Sequence, residues 1–107
     1  MKQKIWLNWD LGINGDYDGL YMWLDKHKAK SCGDAFAVVE FEAEFSPMAD
    51  SLYASLINAV TLRKTDVIYA VYKEGNSIIG KFIYGSRKRG DWFGCSDRID
   101  DSDDIGE

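Results

Sequence analysis

The run Lys4-Ile5-Trp6-Leu7-Asn8-Trp9-Asp10-Leu11 decides how this chain folds. Ile5, Leu7, Trp9 and Leu11 fall on one side, and Lys4, Trp6, Asn8 and Asp10 on the other. That is the period of two expected of a half-buried strand. Gly12, Asn14 and Gly15 break the pattern, and Asp16 or Asp18 is placed to cap the next segment. There Leu20, Trp23, Leu24 and His27 recur at helical spacing, and Lys26, Lys28 and Lys30 suit the negative end of a helix dipole before Gly33 releases the chain.

Outward from there, the alternation resumes over Ala35 to Phe45. Ala37, Val39, Phe41, Ala43 and Phe45 share one side, and Val38, Glu40, Glu42 and Glu44 the other. Ser46-Pro47 supplies an N-cap and a first-turn proline for a second helix, whose apolar stripe is Met48, Leu52, Leu56 and Val60 with Ile57 beside them. Asp66 to Lys73 is rich in β-branched and aromatic residues, and Gly75-Asn76 turns it back into Ser77 to Tyr84 as a hairpin. The expected order is β-α-β-α-β-β. Right-handed crossovers put both helices on one face of a four-stranded sheet, a two-layer α/β sandwich with its other face open. Trp6, Asn8, Asp10, Glu40, Glu42 and Glu44 are expected on that open face, where an exposed Trp6 invites a partner. A second copy is the obvious candidate.

Composition bounds the function. At 107 residues the chain makes one domain, and a hydrophobic share of 46% with 14% aromatics supports a packed core. Apolar stretches are short and broken by charge, so neither a membrane span nor a secretory signal fits, and a cytoplasmic protein is expected. Cys32 and Cys95 stand alone, without a CxxC motif or a nearby His partner, which leaves a zinc site or disulfide framework without support. The formal charge of −5 is uneven. After position 90, seven acidic residues face only Arg98, whereas residues 1–90 carry twelve cations and eleven acidic groups. A domain over 1–90 and a flexible acidic tail over 91–107 are expected, and the near-neutral domain is a poor match for nucleic acid.

Trp9-Asp10-Leu11, the glycine-containing loop after it, and Asp16-Tyr17-Asp18-Gly19-Leu20-Tyr21 opening a helix resemble the SinR-like proteins, relatives of the small CRISPR adaptation subunit. Asp66-Val67-Ile68-Tyr69 fits a later strand of theirs. The resemblance spans roughly residues 4–73 and is sharpest in the first twenty. It implies a ferredoxin-like fold, a homodimer and, in some members, a metal-dependent nuclease using the aspartate that ends strand one, here Asp10. The middle strand, Ala37-Val38-Val39-Glu40, departs from the small-polar-aromatic signature expected there.

Several groups carry chemistry or only structure. Two-fold symmetry would bring two Asp10 carboxylates to one magnesium or manganese ion, with Asn8 adding a carbonyl oxygen, and such an ion activates water for phosphoryl displacement. The same aspartate equally serves to end a strand. Asp16 and Asp18 form an acidic cup or cap a helix. Glu40, Glu42 and Glu44 facing water lack the burial that general acid-base work requires. His27 reads as packing, because no nucleophile elbow accompanies it. Gly12, Gly15 and Gly19 match neither GxGxxG nor a P-loop. Arg87-Lys88-Arg89 ahead of Trp92-Phe93 offers cations for phosphate and rings for bases, or a protein contact.

Two classes of function are compatible with these residues. The first is a non-catalytic binding protein in an antitoxin, immunity or phage-defence role, whose carboxylates engage a basic toxin or nuclease. The second is a metal-dependent ribonuclease at Asp10. A nucleic-acid adaptor working through Arg87 to Phe93 is a weaker third.

Overall fold

The computed structural model describes residues 2–96. Seven elements succeed one another: β1 (Lys2–Asp10), α1 (Tyr17–Lys26), β2 (Lys30–Gly33), β3 (Phe36–Glu42), α2 (Met48–Ala59), β4 (Val67–Glu74) and β5 (Ser77–Tyr84). The strands form one antiparallel sheet in the order β2-β3-β1-β4-β5. With both helices laid on one face, this is a two-layer α/β sandwich.

The expected four strands and β-α-β-α-β-β order are corrected to five strands and β-α-β-β-α-β-β. The extra element is β2, read from sequence as the end of the first helix. All four of its residues are exposed, so it has no buried face to write an alternation. Its presence also changes the logic of the crossovers. β1 pairs antiparallel with both β3 and β4. Hence α1 joins two parallel strands separated by β3, and α2 joins two parallel strands separated by β1. Two split β-α-β units interleave, with Trp23 of α1 against Phe41 of β3 and Tyr53 of α2 stacked on Tyr84 of β5.

Alternation in β1 buries Ile5, Leu7 and Trp9 against the helices, continued by Leu11 in the loop after the strand, by Ala37, Val39 and Phe41 from β3 and by Ile68, Ala70 and Tyr72 from β4. Leu20, Trp23 and Leu24 of α1 and Ala49, Leu52 and Leu56 of α2 close the core from above. Trp23 donates its indole N–H to Ser55 Oγ at 2.9 Å, so the one polar atom of that ring is satisfied inside the helix layer. Two expected core positions fall outside: β3 stops at Glu42, leaving Phe45 exposed by half, and Ile57 turns outward. Pro47 itself occupies the N-cap of α2, without a side-chain cap bond.

The glycine-rich loop after β1 is built for close packing. A Cβ on Gly15 would lie 2.3 Å from Leu11 Cβ, and one on Gly19 would lie 2.7 Å from the Ala59 carbonyl oxygen at the end of α2. Asp16 ties the same region together, accepting from Gly19 N at 3.0 Å as the α1 cap and from Thr61 N at 2.8 Å. His27 closes α1, its Nδ1 donating to the Trp23 carbonyl at 2.8 Å and its ring stacking on Trp23. Loop and histidine are therefore used structurally.

No helix among the described residues is long and apolar enough to cross a membrane.

Candidate functional site

The sheet face away from the helices carries Lys4, Trp6, Asn8 and Asp10 of β1, and their ladder partners extend it sideways. Trp6 is opposite Val38 on β3 and Val71 on β4, and Val71 is opposite Gly80 on β5. One step along, Asn8 is flanked by Phe36 and Tyr69, and Tyr69 is opposite Phe82. Trp6 and Phe82 are each 37% exposed, and Phe36, Val38, Tyr69 and Val71 are partly buried. The centre of the face is thus apolar and aromatic, where an open antiparallel face is ordinarily polar.

Gly80 makes this surface continuous. Tyr69 lies across β5 and meets Phe82 edge-on at 4.8 Å between ring centroids. Its hydroxyl sits 2.3 Å from where a Cβ on Gly80 would be, so any larger residue there displaces the ring from this position.

Charge gathers at one end. Glu40 is opposite Lys4 and Glu42 opposite Lys2. Tyr72 opposite Ile5 sets Lys73 beside Lys4 on the other flank, and the Gln3 amide donates to the Lys73 carbonyl. Glu40 and Glu42 therefore alternate with lysines rather than forming a continuous acidic row, and Glu44 lies beyond the end of β3. At the opposite end Arg87, arriving from β5, donates to the Asp10 carboxylate.

These contacts separate the residues singled out from sequence. Trp6, Asn8, Glu40 and Glu42 do share one face. Arg87, Lys88 and Arg89 do not act as one cluster, because Arg87 is engaged by Asp10 and the Arg89 guanidinium lies 4.5 Å above the Phe93 ring. Trp92 and Phe93 project from a turn closed by Phe93 N to the Gly90 carbonyl and Cys95 N to the Trp92 carbonyl, with Trp92 76% exposed. The acidic residues from Asp97 onward lie outside the described residues.

Asp10 ends β1 with its side chain half-exposed. Its carboxylate accepts from Arg87, the Asn8 amide donates to the Ala35 carbonyl at 2.9 Å, and no group of three or more His, Cys, Asp or Glu among the described residues is arranged to hold a metal ion. Asp66, which opens the later hydrophobic run, is 1% exposed. It accepts from Arg63 N at 2.7 Å, while the Arg63 guanidinium donates to the Leu11 carbonyl at 2.6 Å. It closes the loop before β4.

Sequence reading missed Tyr69, Val71, Gly80 and Phe82 as part of the face. The alternation of β4 and β5 carried the signal; what it lacked was the register that lines them up with Trp6. Comparison with protein-family models, with curated proteins and with solved structures gives no match to this chain.

Proposed function

We propose that this chain is a small non-catalytic binding protein whose working surface is the open sheet face, presented by a ferredoxin-like core with a fifth strand added at its β4 edge. The observation that carries the reading is Trp6 in mid-sheet, flanked by Val38 and Val71 with Tyr69 and Phe82 beyond, all on the side the helices leave uncovered. At 37% exposure Trp6 leaves roughly 90 Å² in water, so covering it contributes about 2 kcal/mol, and Phe82 adds a similar amount.

A protein partner suits this surface better than a nucleic acid. Lys2 and Lys4 each stand beside a glutamate, so the face offers no unbroken stripe of cations to phosphate. The acidic C-terminal sequence steers association toward a basic protein, which fits an antitoxin, immunity or phage-defence role in the cytoplasm. The competing reading, a magnesium- or manganese-dependent ribonuclease, draws on the family resemblance alone, since Asp10 is taken up by Arg87.

The test is titration calorimetry of the intact chain against a basic protein encoded beside it. Binding that is lost in Trp6→Glu and weakens with added salt supports the reading. Binding unaffected by Trp6→Glu, or none by any neighbouring product, refutes it.

A further inference from the structure

We propose that the outer edge of β5 takes up an extended, acidic segment of another protein as a sixth strand, with that segment's inward side chains packing beside α2. The site lies on the sheet edge and the helix side, so it stands apart from the open face.

The two edges of the sheet are unlike. β2 is four residues long and carries a register shift between Ser31 and Gly33, the short and irregular form that discourages pairing. β5 runs for eight residues, Ser77-Ile78-Ile79-Gly80-Lys81-Phe82-Ile83-Tyr84, without proline, and among the described residues no strand lies on its outer side. Ile78 is 72% exposed there. The hairpin dictates which backbone groups are on offer. Glu74 and Ser77 face each other across the two-residue turn, which makes theirs a hydrogen-bonded pair, and such pairs alternate along an antiparallel ladder. Ser77, Ile79 and Lys81 therefore exchange their bonds with β4, while Ile78, Gly80 and Phe82 each turn an N–H and a C=O away from it. A row of donors and acceptors at strand spacing is what an extended backbone matches.

Side chains select the kind of strand. Ile79 and Lys81 are opposite the core residues Tyr72 and Ala70, so with Ile83 they lie on the helix side of β5. A neighbouring strand sends every second residue to that same side, where α2 leaves Tyr53 40% and Ile57 45% exposed. Tyr53 stacks on Tyr84 at 6.4 Å between ring centroids, and these two rings with Ile57 and Leu62 line a cavity of about 410 Å³ at the end of β5. Lys81 is the one charged residue of β5, and residues 77–90 carry four cations and no acidic residue, against a charge of −5 for the whole chain. An incoming acidic residue opposite Lys81, with apolar residues two places to either side, suits all three helix-side positions. A basic segment sets like charges across the pair.

The probe is the peptide acetyl-Thr-Val-Thr-Glu-Thr-Val-Thr-amide, titrated into the intact isotope-labelled chain up to about 1 mM and followed by amide shifts and hydrogen exchange. The amides of Ile78, Gly80 and Phe82 are expected to gain protection on binding, whereas those of Ser77, Ile79 and Lys81 are protected from the start. Ile78→Pro removes an outward N–H that β4 does not use, so it is expected to fold and to bind about tenfold or more weakly. Ile78→Thr keeps that N–H and stays within about threefold of wild type. Lys81→Glu weakens binding about three- to tenfold, and a peptide with lysine in place of its glutamate recovers it. Trp6→Glu leaves the peptide affinity unchanged. Circular dichroism confirms the fold of each variant, and the Lys81 charge swap decides the matter should Ile78→Pro unfold. No protection at the three outward amides, a folded Ile78→Pro that binds as wild type does, or a charge swap that recovers nothing overturns the proposal. Protection at those amides that grows with protein concentration in the absence of peptide makes a second copy the occupant and overturns the acidic segment.

Discussion

Asp66→Ala should cost this protein a substantial part of its stability, and the structure specifies which bond is responsible. The Asp66 side chain is fully buried, and Oδ2 accepts from Arg63 N at 2.7 Å. Its contact with the Arg63 guanidinium is longer, 3.4 Å, and that side chain is 41% exposed. A buried backbone N–H bonded to a carboxylate contributes about 1.5–3 kcal/mol, whereas a partly solvated ion pair contributes about 1 kcal/mol or less. The expected loss for Asp66→Ala is therefore about 2–4 kcal/mol, a fall in Tm on the order of 10–25 °C for a domain this size. Asp66→Asn, which keeps an oxygen facing the N–H, should cost about half as much. Urea unfolding of wild type, Asp66→Ala, Arg63→Ala and the double variant isolates the pair. Because the shorter bond goes to the Arg63 backbone, most of the Asp66→Ala cost should persist when residue 63 is alanine, with a coupling of about 1 kcal/mol or less. An Asp66→Ala protein within about 0.5 kcal/mol of wild type, or a coupling energy that absorbs most of the loss, would refute this account.

Backbone N–H groups of Thr61 and then Gly19 hold the Asp16 carboxyl below its ordinary range. The unfolded chain thus takes up that proton first as pH falls, so the advantage of wild type over Asp16→Asn should be full above about pH 4 and disappear at lower pH, which urea midpoints across acid buffers will show; a pH-independent difference contradicts it. Burial, followed by the charges of Glu74 and Asp50, pushes the Tyr72 hydroxyl above its usual value. Stability should therefore be complete below about pH 10 and decline above it as the unfolded state ionises first, a decline that Tyr72→Phe lessens. Gly15→Ala forces a methyl onto Leu11 Cβ and should lower stability by about 1–3 kcal/mol in thermal melts; an unchanged Tm would mean the loop yields freely. RNA incubated with magnesium or manganese should be cleaved no faster by wild type than by Asp10→Asn or Asp10→Ala, and cleavage by wild type alone would reinstate the nuclease.

Elements whose identity is written locally could be read from the chain. β1 shows its alternation without interruption, and the Gly75-Asn76 turn fixes the β4–β5 hairpin at Ser77–Tyr84, with Gly75 at φ +62°. β2 left no such trace, because an edge strand exposed on all four residues is held by its ladder to β3 and not by a buried stripe. The same rule misplaced Phe45: alternation continues in the sequence past Glu42, but the strand does not. The further ties of Asp16 to Thr61 and of Asp10 to Arg87 join residues that no local spacing announces.

The open face shows why alternation alone stops short of a site. It sorts residues into two sets for each strand, but says nothing about which member of one strand lies beside which member of the next. Taken strand by strand, the uncovered side is Trp6 among Asn8, Asp10, Glu40 and Glu42, an acidic surface with one ring on it. Once the ladder is fixed, Val38, Val71, Tyr69 and Phe82 close around Trp6, while the glutamates slide to one end among Lys2, Lys4 and Lys73. An apolar centre with paired charge at its border is the anatomy that the proposed protein interface calls for. Because a shift of one residue in β4 would turn Tyr69, Val71 and Lys73 to the helix side together, the open face and the core are specified by a single register. A substitution that disturbs the Gly80 approach of Tyr69 should therefore weaken association before it unfolds the domain.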